Sequence, residues 1–484
     1  MTTTSAYRAT PATPPAVMRP ALTGPGLGVL LVAYLPVNMT FGSVNLLGPA
    51  IATDLGASAS GGRLVLSAYT TAFAAALVVA GRLGDRYGRR RLLAIGVTAF
   101  GVLSVVAALA PNLAVLVSTR AGLGVAAGLF TPQVLSTIQA TAPDRLRALG
   151  VTLFTAASGI STIGGQLLAG AVALPAGDHL GWRLVQLLTG AVGAAALLAL
   201  RVVPDSRSHA ALSLDLRGTV LLGAGLLLVV VPLTLAGSAP RPAPLFAVLV
   251  AGGVVLAVFA RTQYASERRG ELPVVPPSVL RTPAVRRGLA MTLLFFTGYG
   301  AFLYEFSTLA QGALGMDAWG AVLLLLGFGA AFIAVALALP VVERRTGRWT
   351  MTGAALVQAA VLVGLALVVG SGHGRSAGAL QPLLVALGAA QALMYGPVLR
   401  TVLSRTPTWA AGVAGGLFAT LQQLGLGLGV ALLGGLFQLV VAGAQGGAET
   451  GLARGFAVAV IVQAVLALAF ALLATRTARE DAPV

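Results

Sequence analysis

Between two long apolar segments the sequence reads GRLGDRYGRRRLL, from Gly81 to Leu93. Five arginines and one aspartate are concentrated in these thirteen residues. A short basic loop between apolar segments is typical of the cytoplasmic side of a multi-pass membrane protein. Gly81 and Gly88 permit a close helix approach and a tight turn. Asp85 can lie against a helix N-terminus, where negative charge is favourable.

The composition of the whole chain agrees with a location in lipid. Of 484 residues, 57% are hydrophobic and 9% charged, with a mean hydropathy of +0.91, whereas soluble domains average roughly 25% charged residues. The chain has no cysteine, and its histidines, His179, His209 and His373, lie in candidate loops. We therefore expect an all-α membrane protein with no metal and no cofactor.

A spanning helix needs about 20 apolar residues. The sequence predicts fourteen spans, at 27–50, 64–81, 92–111, 113–137, 149–174, 183–203, 218–237, 243–260, 288–311, 319–342, 350–371, 380–400, 411–440 and 453–474. Residues 1–25, rich in Pro, Thr and Ala, are interpreted as a disordered tail.

The arginines orient these spans. With both termini in the cytoplasm, 25 arginines lie inside and five outside, among them Arg63 and Arg183, while Arg120 lies within a span. This bias follows the positive-inside rule. It also accounts for the net charge of +17, which faces anionic lipid and not nucleic acid.

The basic loop resembles the signature loop of the major facilitator superfamily. The matching positions are Gly81, Leu83, Asp85, Arg86, Gly88, Arg89 and Arg90. In that family the loop forms a cytoplasmic latch that holds the outward-facing state, so the resemblance implies a gating role for these residues.

Further stretches are similar to the fourteen-span drug:proton antiporter branch of this family. They include VNLLGPAIATDL at 44–55, TRAGLGVAAG at 119–128, LDLRG at 214–218 and AGVAGGLFATLQQLGLGLGVAL at 411–432. The resemblance implies two six-helix bundles with two extra helices between them. The implied division is a cytoplasmic tail at 1–25, a first bundle at 26–203, linker helices at 204–260, a cytoplasmic loop at 261–287, a second bundle at 288–474 and a cytoplasmic tail at 475–484.

Two departures from the branch concern proton coupling. Thr40 stands where the branch places an aspartate in its first span. The antiporter signature of the fifth span is altered, and the corresponding residues are Gly164, Gly165, Gln166 and Gly170. Small residues there could serve helix packing alone.

Glu305, within TLLFFTGYGAFLYEFSTLAQ at 292–311, is the only acid well inside a predicted span, and Arg120 is the only such arginine. Charges within a membrane are costly and so are functional candidates. Both lie about 10 Å from the outer end of their spans. We hypothesise that Glu305 is the exchangeable carboxyl and that Arg120 approaches it. The alternatives are a Glu305 that reaches the outer interface near Gln311, and an Arg120 that bonds span carbonyls.

A substrate cavity between the bundles would need polar and aromatic groups on apolar walls. The candidates are Asn38, Thr40, Asn45, Tyr299, Tyr304, Tyr395, Gln422 and Gln423.

The sequence thus predicts a monomeric plasma-membrane transporter and not an enzyme. It would export a small hydrophobic or amphiphilic compound, such as a drug or secondary metabolite, in exchange for protons by alternating access. The direction of transport rests on the resemblance. The alternatives are uptake or uniport without proton antiport, and a non-transporting membrane sensor.

Overall fold

The computed structural model describes residues 21–207, 215–235, 242–271, 273–371, 377–406, 411–445 and 447–480. Within these ranges the chain is helical and has no strand. The helices are α1 Gly24–Asp54, α2 Ala59–Tyr87, α3 Arg89–Ala108, α4 Leu113–Thr141, α5 Asp144–Leu198, α6 Leu216–Leu235, α7 Pro242–Arg268, α8 Pro277–Arg281, α9 Pro283–Gly312, α10 Ala318–Thr346, α11 Thr350–Gly370, α12 Ala377–Ser404, α13 Ala411–Leu428, α14 Gly434–Gly443 and α15 Ala448–Glu480.

Helix ends fall on two opposite faces of the molecule. On the face that carries the 81–93 loop, Leu22 N donates to Thr141 O at 2.9 Å, and Arg89 N to Ser206 O at 3.1 Å. We call this the arginine-rich face. On the opposite face, Arg183 donates to Asp54 at 3.1 Å. Because successive long helices end alternately on these two faces, neighbours along the chain run antiparallel, and α5 reverses direction at Gly177, where φ is +70°.

Glycines allow the helices within each half to approach closely. A Cβ on Gly165 of α5 would lie 2.1 Å from Met39 O of α1. In the second half, a Cβ on Gly429 would lie 2.1 Å from Thr297 O of α9. Small residues at such contacts let backbones pack closely where no hydrophobic effect drives helices together. The first half comprises α1–α5 and the second α9–α15.

The extra pair α6–α7 packs beside α2 of the first half. Arg63 Nη2 donates to Thr234 O at 3.2 Å, and Thr234 Oγ1 donates to Ser67 Oγ at 3.2 Å. At the arginine-rich face Asp215 precedes α6, where it accepts hydrogen bonds from Gly218 N at 2.8 Å and from Gln263 of α7 at 2.9 Å. Only 11% of the most apolar stretch of α7 is buried, so this helix lies at the edge of the molecule.

The two halves meet along α5 with α10 and along α2 with α13. Gly159 lies against Phe332, and Gly170 against Trp319. Near the opposite face Gln311 Nε2 of α9 donates to Leu46 O of α1 at 2.9 Å. The halves are therefore bonded to each other toward the face opposite the 81–93 loop.

The structure confirms an all-helical membrane architecture, but the count of fourteen spans stays a prediction. By length and hydropathy, twelve stretches of the described chain could cross a membrane, or thirteen with the bent pair Ser60–Leu77 and Val79–Tyr87. One of the twelve, Ala318–Gly370, is 53 residues long and contains a turn at Gly347, where φ is +56°.

Several helix ends differ from the sequence-based boundaries. Helix α1 begins inside the predicted tail because the Thr23 hydroxyl accepts from Gly26 N and Pro25 suits a first helical turn. Helix α7 continues to Arg268, well into the predicted 261–287 loop, because the first proline of that segment is Pro273. Helix α15 extends to Glu480, whose carboxylate accepts from Arg287 Nη1 at 2.7 Å. Residues 1–20, 208–214 and 481–484 of the predicted tails and linker lie outside the described residues, as do His209 and His373.

Candidate functional site

A cavity lies between the two halves and takes its walls from both. The first half contributes Asn38, Phe41, Ser158, Gly159 and Thr162. The second half contributes Phe295, Phe296, Tyr299, Phe332, Tyr395, Gln422 and Leu426. Within single helices most of these residues have a partner three or four positions away, as residues on one helix face do, while Ser158 and Gly159 and Phe295 and Phe296 are adjacent.

Polar contacts hold the first half's part of the cavity wall. Asn38 Nδ2 donates to Ser158 Oγ at 3.0 Å and to Tyr34 Oη at 3.3 Å. Across the cavity Tyr299 lies beside Thr162 and Tyr395 beside Ser158, and Tyr395 also lies beside Gln422 of its own half. The tyrosines of the second half thus reach hydroxyl groups of α5 in the first half.

Four of the eight predicted cavity residues line this space: Asn38, Tyr299, Tyr395 and Gln422. The other four are buried elsewhere. Thr40 bonds Arg120, Asn45 donates to Phe41 O at 3.1 Å, and Tyr304 bonds Gln438 at 3.1 Å. Gln423 is buried, and its Oε1 has no partner among the described residues.

Sequence reasoning missed Ser158 and Thr162 and the phenylalanine part of the wall. Ser158 and Thr162 are four residues apart and precede the altered fifth-span signature, so their spacing was a usable signal. Phe295 and Phe296 carried none, because aromatic side chains are common in any apolar helix.

The cavity is small in this conformation. Its volume is about 20 Å³, which is room for about one water molecule. Sites for drug-sized ligands have volumes of roughly 300–1,000 Å³. A ligand of that size therefore does not fit into the cavity in this conformation.

Arg120 is completely buried against the helices of its own half. Its Nη1 donates to Thr40 Oγ1 at 2.5 Å and its Nε to Val65 O at 3.3 Å. Its guanidinium carbon lies 4.6 Å from the centre of the Tyr69 ring. Arg120 thus bonds carbonyl groups of neighbouring spans, which was the alternative prediction for this residue. It also bonds Thr40, which stands where the branch has an aspartate.

Glu305 is completely buried in the second half, between α9 and α15. Gln463 Nε2 donates to Glu305 Oε2 at 2.6 Å, and Oε1 has no partner in the described structure. The structure does not join Glu305 to Arg120 by any ion pair among the described residues. Gln311 bonds Ser307 and Leu46, so it is not the polar partner of Glu305. The proton-coupling role of either residue stays a prediction.

In the structure the 81–93 segment is the end of α2 and the start of α3, joined at Gly88. Most of its contacts are within the first half, but Arg82 donates to Pro273 O in the segment before α8. Arg89 Nη2 donates to Asp85 at 2.6 Å, and Arg89 also donates to Ser136 O at 3.1 Å. Arg90 donates to Val203 O at 3.4 Å. The described contact of Asp85 is thus an ion pair with the side chain of Arg89, the first residue of α3. The gating role of this segment stays a prediction.

The glycines of this loop have different roles. Gly88 ends α2 with φ +102°, a conformation that L-residues rarely adopt, as a tight turn requires. The close helix approach occurs at Gly84, where a Cβ would collide with the Gln133 side chain of α4. Gly81 has open space beside it, so its expected close contact is absent in this conformation. Leu83 is half-buried, and Arg86 is exposed beside Tyr87.

The fifth-span motif is divided between two interfaces. Gly165 packs on the α1 backbone, and Gly170 on Trp319 of the second half. A Cβ on Gly164 would have nothing within 4 Å. Gln166 is buried, and its Nε2 lacks a partner among the described residues. Packing thus accounts for Gly165 and Gly170, and any antiport role of the motif stays a prediction.

A second buried arginine was missed by the sequence analysis. Arg63, expected in an outside loop, lies within α2 and is 2% exposed. It was assigned to a loop because it adjoins the polar stretch at 57–62, whereas the Ser58 hydroxyl accepts from Gly61 N and starts α2 before it. Its aliphatic part also faces Gly434 of α14.

Known proteins resemble this chain along most of its length. The family description "Major Facilitator Superfamily" matches residues 30–430. A probable actinorhodin transporter of Streptomyces coelicolor is 32% identical over 85% of this chain and 72% of its own length. The puromycin resistance protein pur8 of Streptomyces alboniger is 33% identical over 84% of this chain and 80% of its own length. The multidrug efflux pump LfrA of Mycolicibacterium smegmatis is 29% identical over 85% and 79%.

Solved structures share the fold at lower identity. The POT family transporter PepTSo has a TM-score of 0.68 at 14% identity and covers 95% of this chain and 99% of its own. Taken together with the family match and the apolar helices, these similarities show that the chain is a multi-pass membrane transporter that belongs to the major facilitator superfamily.

Proposed function

We propose that this protein exports a small hydrophobic or amphiphilic compound across the plasma membrane in exchange for protons, as a monomer with both termini in the cytoplasm. The observation that carries the proposal is the cavity whose walls come from both halves, with Asn38 and Thr162 on one side and Tyr299, Tyr395 and Gln422 on the other. When two halves rock about a site between them, the site opens alternately to each side of the membrane.

The direction and the substrate class are supported by the relatives. One is named for resistance to puromycin, and another is named as a multidrug efflux pump. The apolar and aromatic cavity wall suits compounds of that kind. With the 81–93 segment in the cytoplasm, the Gln311–Leu46 bond joins the two halves on the outer side in this conformation.

Glu305 is our candidate for the exchanged proton. An ionised carboxylate without a cation is costly in an apolar interior, so burial favours the neutral acid. The Gln463 amide can donate to Oε2 in either form, and Oε1, which has no partner in the described structure, is the atom that would carry the proton. A conformational change that admitted water to this position would favour release of the proton. Protonation and the position of the halves would then be linked.

Uniport or uptake without proton exchange is the alternative, and one observation favours it. Arg120 is bonded to the neutral Thr40 hydroxyl and to carbonyl groups. It therefore has no exchangeable carboxylate beside it in the described structure.

Efflux from cells separates these possibilities. Cells with and without the protein are loaded with a panel of fluorescent neutral and cationic amphiphiles, and their loss is followed with and without an uncoupler. Export by proton exchange predicts protein-dependent loss that the uncoupler stops. Loss that continues unchanged with the uncoupler would favour uniport, and protein-dependent accumulation would favour uptake.

A further inference from the structure

Among the described residues that line the cavity there is no carboxylate and no basic group. Its polar members are Asn38, Ser158, Thr162, Tyr299, Tyr395 and Gln422, all neutral at physiological pH. The remaining described lining residues are phenylalanine, glycine and leucine. A ligand in this space thus meets hydroxyl and amide groups but no counter-ion.

Neither Arg120 nor Glu305, the two embedded charged residues, supplies a counter-ion for a cation in the cavity. Arg120 is positive and lies against Thr40, two residues along α1 from Asn38. On α9, at about 100° per residue, Glu305 lies about 80° to 180° around the helix from the lining residues Phe295, Tyr299 and Phe296, and it is not among the lining residues. There it bonds Gln463 of α15. A cation in the cavity would lose its hydration and gain only the faces of aromatic rings, without a carboxylate to balance its charge.

The aromatic rings that α9 and α12 contribute to the cavity wall have two main orientations. The Phe295 ring lies within 7° of parallel to Tyr299 and within 10° of parallel to Tyr395, with centroids 6.2 and 6.1 Å apart. Phe296 is nearly perpendicular to both tyrosines, at 85° and 89°. Offset-parallel and edge-to-face contacts are the favoured arrangements of aromatic pairs. A flat ring system aligned with Phe295 could make both kinds of contact.

The neutral polar groups suit hydroxyl and carbonyl substituents. Asn38 and Gln422 each offer amide donors and an acceptor, and Ser158 and the tyrosines offer hydroxyl groups. In the contracted cavity these groups bond one another, as Asn38 and Ser158 do. When the halves separate, the same groups become available to a ligand.

We infer that the cavity selects uncharged, planar aromatic compounds with hydroxyl or carbonyl groups over lipophilic cations of the same shape. This inference rests on the proposed transport function and narrows its substrate class.

A matched pair of fluorescent probes tests the inference on the full-length protein in liposomes. Acridone is planar and neutral and has a carbonyl group, and N-methylacridinium has a similar three-ring system with a permanent positive charge. We expect protein-dependent, saturable flux of acridone and at least about tenfold less of the cation, which corresponds to about 1.4 kcal/mol of discrimination. Comparable flux of the two probes, or faster flux of the cation, would overturn the inference.

A charge placed in the wall gives a second test. Asn38→Asp adds a carboxylate without changing side-chain size and should raise cation flux relative to acridone flux. Asn112→Asp is the control, because Asn112 caps α4 through Val115 N, far along the chain from the lining residues, and aspartate caps equally well. A cation-to-acridone ratio that rises equally in both variants, or in neither, contradicts the inference. If Asn38→Asp does not fold, the ratio in the unmodified protein decides.

Failure of the inference and failure of the proposed function can be distinguished. If neither acridine probe moves while other amphiphiles are exported, the inferred class is wrong and the transport function stands. If no compound moves, both are wrong.

Discussion

Arg120 donates a hydrogen bond to the side chain of Thr40 at 2.5 Å, deep within the first half of the molecule. The sequence identified both residues, one as an embedded cation and the other as the replacement for a carboxylate, but paired Arg120 with Glu305 instead. The bond means that the position of the missing acid is occupied by a neutral acceptor for the arginine. Any proton exchange must therefore use a different group, and Glu305 is the buried acid that the described structure offers.

The Thr40 hydroxyl is expected to matter for stability. Thr40→Val keeps the shape of the side chain but leaves Arg120 Nη1 buried without this acceptor, which should cost about 1–3 kcal/mol. Thr40→Ser keeps the acceptor and serves as the control. Thermal unfolding in detergent should rank the serine variant well above the valine variant. Equal melting temperatures would show that Arg120 does not depend on this bond.

Gly165 is expected to be essential for the packing of α5 on α1. Gly165→Ala would place a Cβ 2.1 Å from Met39 O, so the helices must separate, at a cost of about 1–3 kcal/mol. Gly164→Ala is the matched control, since nothing lies within 4 Å of the added methyl group. Melting temperature and transport should both fall in the first variant only. Loss of proton coupling in Gly164→Ala, at normal stability, would instead indicate an antiport role for the motif.

A methyl group should be tolerated at Gly81, within α2, but not at Gly88, where α2 ends. Gly88 has φ +102°, so Gly88→Ala should introduce backbone strain of about 1–3 kcal/mol. Gly81→Ala adds a methyl group in open space within a helix. We expect a lower melting temperature for the Gly88 variant alone. Transport lost in Gly81→Ala without loss of stability would reveal a close contact of Gly81 in another conformation.

Acid should weaken the junction between α6 and α7. Although burial opposes ionisation, hydrogen bonds from Gln263 and the backbone of Gly218 and Val274 lower the pKa of Asp215. The folded state therefore holds this proton less tightly than the unfolded state. The contribution of Asp215 to stability is complete above about pH 5 and is lost as the pH falls through about 4 and below. Melting temperatures of the unmodified protein and of Asp215→Asn should differ at pH 7 and converge in acid. A constant difference at every pH would contradict the assignment.

The fold was largely predictable because the hydropathy pattern and the positions of the arginines can be read directly from the sequence. Long apolar stretches must be helical in lipid, since every backbone polar group needs a partner there. Helix ends were less predictable because local caps such as Thr23 and distant pairs such as Arg287–Glu480 set them. Arg63 was misplaced for the same reason, because the Ser58 cap starts α2 before it.

The site was only partly predictable because helix phase and long-range pairing are not visible in one sequence. Asn38 and Tyr395 were recognised as polar or aromatic groups in apolar spans, and they do line the cavity. Tyr304 has the same character, but it turns toward Gln438. The partner of Glu305 is 158 residues away in sequence, so no local pattern indicated Gln463.

The most direct test of the central claim is the effect of Glu305→Gln on pH-driven transport in liposomes. A substrate identified by the efflux panel is loaded, and its flux is measured with and without an imposed pH gradient. Glu271→Gln is the control, since Glu271 is an exposed acid at the arginine-rich face. We predict that the gradient accelerates flux in the unmodified protein and in the control. In Glu305→Gln we predict flux without acceleration. Undiminished acceleration in Glu305→Gln would contradict proton exchange through Glu305.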